Sequence, residues 1–176
     1  IGLGIPAEPL FRSRDLISHI AGPESVTQYN IAYKLLNIIV MIYTIILTPL
    51  WPAFTDAYTK KDYTWMNNMY KKMQKLYLLL CLMISMMVVF SPFIIKLWVG
   101  DKVSVPFILT LSIAVYTLIH CWDSLQVTLI NGTGKVKLQT YVILIGLVFH
   151  IPLSLLLGQH IGIIGVVVSM SIINII

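Results

Sequence analysis

The stretch YNIAYKLLNIIVMIYTIILTPLWPAFTDAY, residues 29–58, decides the fold of this chain. From Ile31 to Phe54 it is apolar over about 24 residues, which is long enough for a helix to cross a bilayer core of about 30 Å. A second set of residues recurs at three- or four-residue steps and therefore shares one helical face. These are Asn30, Lys34, Asn37, Met41, Thr44 and Thr48. A lipid-facing helix has no need of this polar stripe, so the pattern predicts a helix that lines a polar cavity. Pro49 and Pro52 are expected to bend or end it.

The composition is that of an integral membrane protein. Hydrophobic residues make up 58% and charged residues 11% of the chain, whereas soluble domains carry roughly 25% charged residues. The formal net charge is +5, which makes acidic partners plausible. Cys81 and Cys121 both lie in apolar runs without CxxC spacing, so they predict small core residues and no disulfide framework.

The apolar runs predict an all-α fold, a polytopic transmembrane helix bundle. The chain starts without methionine and stops inside an apolar run, so we expect a fragment of a longer membrane protein in which residues 1–176 form a single transmembrane lobe. The expected spans are approximately 1–12 (partial), 26–54, 76–99, 104–131, 137–157 and 161–176 (partial).

The longest polar connection, residues 56–75, carries five lysines and two aspartates. By the positive-inside rule it is predicted to be cytoplasmic. Within it, residues 60–75 place methionines and tyrosines at helical spacing with lysines offset from them, which predicts an amphipathic helix on the inner leaflet. A membrane surface accounts for these lysines, so no nucleic-acid partner is expected.

Ionisable residues inside or beside the spans each allow two interpretations. Arg12, Arg14 and Lys34 either snorkel to the headgroups or face an anion in a water-filled cavity. His120 and Asp123 are three residues apart and can meet on one helix, where they either relay protons or bind a cation, or else form a mutually satisfied buried pair.

No catalytic constellation of a soluble enzyme is present: the sequence lacks GxSxG, HExxH, P-loop and GxGxxG motifs in their required contexts. We therefore predict no enzyme activity, no cofactor and no metal site. Helices with polar faces and sparse charges fit a secondary transporter better than an ion channel, which usually shows a re-entrant filter motif, or a structural subunit.

Four segments carry a family resemblance. They are PLWPAFTDAY (49–58) with the following lysines and residues 62–65, RDLISHIAGPESVTQYNIAYKL (14–35), IIKLWVG (94–100) and LINGTGKVKLQ (129–139). In this order they resemble the C-terminal half of bacterial polysaccharide flippases. These are the Wzx-type O-antigen exporters of the multidrug/oligosaccharidyl-lipid/polysaccharide (MOP) superfamily.

The resemblance implies the C-terminal lobe of a MATE-like transporter in the bacterial inner membrane. The implied function is translocation of an undecaprenyl-pyrophosphate-linked oligosaccharide by alternating access. Implied partners are this lipid-linked oligosaccharide, membrane lipid, the N-terminal lobe of the same protein and the polysaccharide polymerase machinery. A cation-coupled multidrug exporter of the same superfamily is the alternative, although its cavity should be acidic.

Candidate residues follow from this implied substrate. Those expected to contact the pyrophosphate through charge-assisted hydrogen bonds are Arg12, Arg14 and Lys34. Those expected to contact sugar hydroxyls are Asn37, Thr44, Gln126 and Asn131. The candidates for ion coupling are His120 and Asp123.

Overall fold

The computed structural model describes residues 8–100, 103–134 and 136–174, with side chains described from residue 24 onward except at positions 138 and 147. These residues form helices and no strands, which confirms the all-α class. The helices are α1 (Glu8–Leu47), α2 (Leu50–Thr59), α3 (Tyr63–Val99), α4 (Phe107–Gly132), α5 (Val136–Ile161) and α6 (Ile163–Ile173). In the described part of the chain, four helical segments are long and apolar enough to cross a membrane: 24–59, 63–99, 107–132 and 139–161.

The organising stretch forms α1 and α2, which are separated at Thr48 and Pro49. Thr48 closes α1 with its backbone N–H and its hydroxyl, which both donate to the Thr44 carbonyl, at 2.9 and 2.8 Å. Pro52 lies in the first turn of α2, where its missing N–H has no intrahelical acceptor to lose. The break at Pro49 therefore confirms the prediction for that proline, whereas α2 continues through Pro52.

The start of α1 differs from our expectation. The expected spans 1–12 and 26–54 leave a break between them, where Gly22 and Pro23 lie, but α1 runs through both residues without interruption. A proline removes one backbone hydrogen bond from a helix, and such a loss is tolerated in membrane helices because neighbouring groups satisfy the freed carbonyl.

A tight corner joins α2 to α3. The Asp62 N–H donates to the Ala57 carbonyl at 2.9 Å and the Lys61 N–H donates to the Tyr58 carbonyl at 3.1 Å, which is the Schellman pattern. Lys61 has φ 58°, a left-handed conformation that usually requires glycine. The Asp62 carboxylate then accepts from the Trp65 N–H at 2.9 Å and caps α3. The corner therefore takes only the three residues 60–62.

The α3 helix is a single rod of 37 residues, about 55 Å long at 1.5 Å per residue. We expected residues 60–75 to form an amphipathic helix on the inner leaflet before the span, but residues 63–75 are the first turns of α3 itself, after the corner at residues 60–62. No glycine or proline occurs between Tyr63 and Ser91, so nothing in the sequence ends the helix there. Pro92 lies inside the helix and does not end it. The lysine-bearing turns therefore extend the span beyond the bilayer core.

The α4 helix is the centre of the bundle. It contacts every other helix described, and Leu109, Ile113 and Leu125 are fully buried on it. Its last residue, Gly132, lies so close to α2 that an added Cβ would stand 2.5 Å from the Phe54 Cβ. Phe54, itself fully buried, also contacts Trp65 edge to face, with ring centroids 5.7 Å apart. The PLWPAF segment therefore anchors the corner against α4.

Candidate functional site

The α1 helix has a buried face and a separate polar face. Its buried residues contact the rest of the bundle: Tyr29, Ala32, Leu36, Ile39, Tyr43 and Leu47. The predicted polar stripe lies about a third of a turn away, with Lys34, Met41 and Thr48 exposed and Asn30, Asn37 and Thr44 half-buried. Ile38, Ile42 and Ile45 are exposed on its far flank. The polar stripe is therefore accessible on the surface of this bundle.

The exposed faces of α3 and α5 are different, because large apolar side chains dominate both. On α3 they include Leu78, Leu82, Met86, Val89, Phe90 and Phe93. On α5 they include Tyr141, Ile145, Val148, Phe149, Leu155 and Leu156. Such faces suit lipid tails. Since the accessible face of α1 carries an amine, amides and hydroxyls, it is the surface that suits a hydrated cavity.

Lys34 is the cation of this stripe. In the part of the chain that the structure describes, the salt bridge found joins Lys60 to Asp56 at 2.7 Å, so no carboxylate described there neutralises Lys34. Further along the stripe, the Thr44 hydroxyl donates to the Val40 carbonyl at 2.8 Å, which leaves its oxygen free to accept. Lys34, Asn37 and Thr44 therefore offer a cation, an amide and a hydroxyl oxygen along about 15 Å of one helix.

A second set of polar residues recurs at helical steps along α4, and none of its members is exposed: Thr110, Thr117, His120, Ser124, Thr128 and Asn131. Thr110 and Thr117 are buried. The hydroxyls of Thr117, Ser124 and Thr128 donate to the carbonyls four residues earlier, at 2.8, 2.7 and 2.7 Å. Much of this polarity is therefore satisfied within the helix, as is usual for serine and threonine in membrane helices.

His120 and Asp123 do not pair with each other, although their spacing would have allowed it. They form neither a hydrogen bond nor an ion pair. The His120 ring stacks on Tyr116 instead, with centroids 5.9 Å apart and planes 12° apart. Asp123 is half-buried and forms no ion pair with any described residue. The spacing therefore brings His120 and Asp123 to neighbouring positions of α4 without joining their side chains.

Gln126 and Asn131, which are predicted to contact sugar hydroxyls, both lie on α4. The Gln126 side-chain amide donates to the Tyr70 hydroxyl at 2.9 Å and so links α4 to α3. The Asn131 Oδ1 is buried and has no hydrogen-bond partner. Both residues belong to α4 and not to the α1 stripe that carries Lys34 and Asn37. The side chains of Arg12 and Arg14, both in the helical part of α1, lie outside those that the structure describes.

A buried polar chain between α5 and α6 was only half anticipated. The four-residue spacing of His150 and Ser154 puts them on one face of α5, but no spacing within a helix relates them to Ser169 of α6. The Ser154 hydroxyl lies 3.1 Å from His150 Nδ1 and 2.7 Å from the Ser169 hydroxyl, which donates to the Val166 carbonyl at 2.7 Å. The sequence signal that could have identified Ser169 is a serine within an otherwise apolar helix. Among the described residues no group of three or more metal-ligating side chains is present.

One comparison with known proteins identifies the family. The MatE family profile matches residues 14–156, which is most of the chain. No curated protein and no solved structure is similar enough to give a match. Four helical segments long and apolar enough to cross a membrane, of which α4 is the central one, together with a polar accessible face on α1, are the architecture expected of a multi-pass transporter lobe. The chain belongs to the MatE family, whose members are transporters of the MOP superfamily and not enzymes.

Proposed function

We propose that this chain is one lobe of a flippase that moves an undecaprenyl-pyrophosphate-linked oligosaccharide across the bacterial inner membrane. The observation that supports it best is Lys34, an exposed ammonium that no carboxylate among the described residues neutralises, on the accessible polar face of α1. A cation inside a membrane span is costly unless it has a functional partner. A pyrophosphate, which is anionic and rich in acceptor oxygens, is such a partner.

The rest of the stripe fits the sugar. Asn37 can both donate and accept hydrogen bonds, and the Thr44 oxygen can accept one from a sugar hydroxyl. The flanking isoleucines, Ile38, Ile42 and Ile45, give the adjacent strip of α1 an apolar surface for the lipid chain. In this proposal a second lobe covers the stripe, and rocking of the two lobes exposes it first to one side and then to the other.

A cation-coupled drug exporter is the second candidate, and Asp123 is the observation in its favour. This carboxylate is half-buried in the middle of α4 and has no cationic partner among the described residues. A cationic drug or a coupling ion would stabilise it. The accessible stripe of α1 contains no carboxylate, however, which favours the anionic substrate.

The test uses the full-length gene in its native bacterium. The gene is deleted and then restored as wild type, Lys34→Gln, Lys34→Arg or Lys60→Gln, and surface polysaccharide is measured together with lipid-linked oligosaccharide on the cytoplasmic leaflet. Deletion should abolish surface polysaccharide and cause lipid-linked oligosaccharide to accumulate on the cytoplasmic leaflet. Lys34→Gln should reduce export on the order of 10- to 100-fold, the value of one charge-assisted contact. Lys34→Arg should retain most export.

Lys60→Gln is the matched control because Lys60 is exposed and already paired with Asp56. It should leave export unchanged. Normal surface polysaccharide after deletion, together with new sensitivity to cationic drugs, would refute the flippase and support the exporter. In that case Asp123→Asn should abolish drug resistance.

A further inference from the structure

Three lysines form a compact cationic patch on the first turns of α3. Lys71, Lys72 and Lys75 are all exposed. They lie within four residues of one another, which places their Cα atoms within about one helical turn. No hydrogen bond or ion pair to any of the three is found in the described part of the chain.

Nearby carboxylates are already engaged. Asp56 pairs with Lys60 at 2.7 Å. Asp62 accepts the Trp65 N–H as the cap of α3. The positive charge of the patch is therefore not neutralised by these two aspartates, and it requires solvent or an external anion.

The patch is in line with the lipid-facing side of the same helix. Starting from Lys71 and Lys75, steps of three or four residues lead along one face. That face continues through Leu79 (52% exposed), Leu82 (59%), Met86 (55%), Phe90 (53%), Phe93 (69%) and Leu97 (79%). The opposite side of α3 packs on the bundle through Leu80, Ile84 and Val88. The lysines therefore face the surrounding bilayer and not the interior of the protein.

The depth of the patch is that of a headgroup layer. Lys75 and Lys96 are 21 positions apart on the continuous helix α3, which is about 31 Å along its axis. The hydrocarbon core of a bilayer is about 30 Å thick. With Trp98 exposed near the other end of the span, Lys75 lies at one boundary of the core. Lys71 and Lys72 lie about 5 Å further out, among the phosphates.

We propose that Lys71, Lys72 and Lys75 bind the headgroups of anionic phospholipids in the leaflet next to the α2–α3 corner. The lysine distribution predicts that this leaflet is the cytoplasmic one, which is rich in anionic lipid. The occupant is a lipid of the surrounding bilayer, because the apolar face that continues from the patch accommodates its acyl chains. This role is independent of the cargo and would hold for either transporter proposed above.

The experiment measures thermal unfolding of the purified full-length transporter in non-ionic detergent, titrated with phosphatidylglycerol, phosphatidylcholine or inorganic phosphate. Phosphatidylglycerol should raise the Tm of the wild type, and the other two additives should not. In the variant Lys71→Gln/Lys72→Gln/Lys75→Gln, the phosphatidylglycerol concentration for half of the shift should rise at least about tenfold. The corresponding triple arginine variant should retain the shift.

A charge-matched control removes three exposed lysines that lie outside this face of α3, as Lys60→Gln/Lys61→Gln/Lys137→Gln. It should keep the phosphatidylglycerol shift. The proposal is overturned if the shift survives in the triple glutamine variant or is lost equally in the control. An equal response to phosphatidylcholine would indicate a non-specific lipid effect. An equal response to inorganic phosphate would indicate a free-anion site, and either result also overturns it.

Discussion

The contact between Gly132 and Phe54 gives the sharpest prediction for the fold. Gly132→Ala would place a methyl carbon 2.5 Å from the Phe54 Cβ and 3.4 Å from its carbonyl carbon. Because two carbon atoms in van der Waals contact lie about 3.5–4.0 Å apart, α2 and α4 would have to separate by about 1 Å. The obstacle is the Cβ and backbone of Phe54, which a change of rotamer cannot move away.

Two effects determine how much stability the bundle loses in Gly132→Ala. Overpacking a closely packed contact costs about 1–3 kcal/mol. Alanine favours a helix interior by about 1 kcal/mol over glycine, but Gly132 is the last residue of α4, where most of that gain is absent. We therefore expect Gly132→Ala to destabilise the bundle by about 1–2 kcal/mol.

A thiol-reactive dye provides the assay. Cys121 is 1% exposed in α4, so its thiol should react only when the bundle opens. Replacing Cys81, the other cysteine of this chain, by serine leaves Cys121 as its single reporter. The midpoint temperature of dye reaction should fall in Gly132→Ala by a few degrees per kcal/mol.

Gly146→Ala is the control for this prediction. Its added Cβ would meet one atom, the Ile173 Cγ2, at 3.2 Å, and a side-chain methyl can move. It should therefore be nearly neutral or slightly stabilising. Equal midpoints for the wild type and Gly132→Ala, or a larger loss in Gly146→Ala, would refute the close approach of α2 to α4.

Three further sets of substitutions test other contacts of the bundle with the same dye assay. Lys61→Gly should stabilise the corner by about 1 kcal/mol, because glycine adopts the left-handed conformation of residue 61 without steric strain. Lys61→Ala should not stabilise it, and equal effects of the two substitutions would contradict this account. Ser154→Ala should cost about 1–2 kcal/mol by breaking the buried α5–α6 chain, while Ser85→Ala, at an exposed site, should be nearly neutral. Tyr70→Phe and Gln126→Leu should each destabilise by about 1 kcal/mol, and the double variant should cost less than the sum unless their hydrogen bond is absent.

Hydropathy and periodicity indicated the membrane bundle well because a bilayer imposes strict local conditions. A span must be long, apolar and helical, since its backbone hydrogen bonds have to be satisfied internally. The break at Pro49 could also be predicted locally, because a proline has no backbone N–H to continue the helix. The continuous α1 through Pro23 and the unbroken α3 could not, because whether a proline or a polar turn ends a helix depends on its neighbours.

The polar faces show where local rules stop. Both the α1 stripe and the α4 stripe follow from spacing alone, and at the sequence level they look alike. The structure exposes Lys34 on the first and buries Thr110 and Thr117 on the second. The spacing of His120 and Asp123 allowed a contact between them, but the imidazole stacks on Tyr116 instead. The spacing of those two residues gives no information about this aromatic neighbour.

The sequence by itself determined that this chain is a helical membrane protein, roughly where its spans lie and which faces are polar, because these properties depend on neighbours within one or two helical turns. Only the tertiary structure decided which polar face stays accessible, which polar groups satisfy one another and which side of α3 faces lipid. Those outcomes depend on α4 at the centre of the bundle. Contacts between helices join residues far apart in the chain, such as Tyr70 with Gln126 and Phe54 with Gly132. A periodicity within one helix carries no information about its partner.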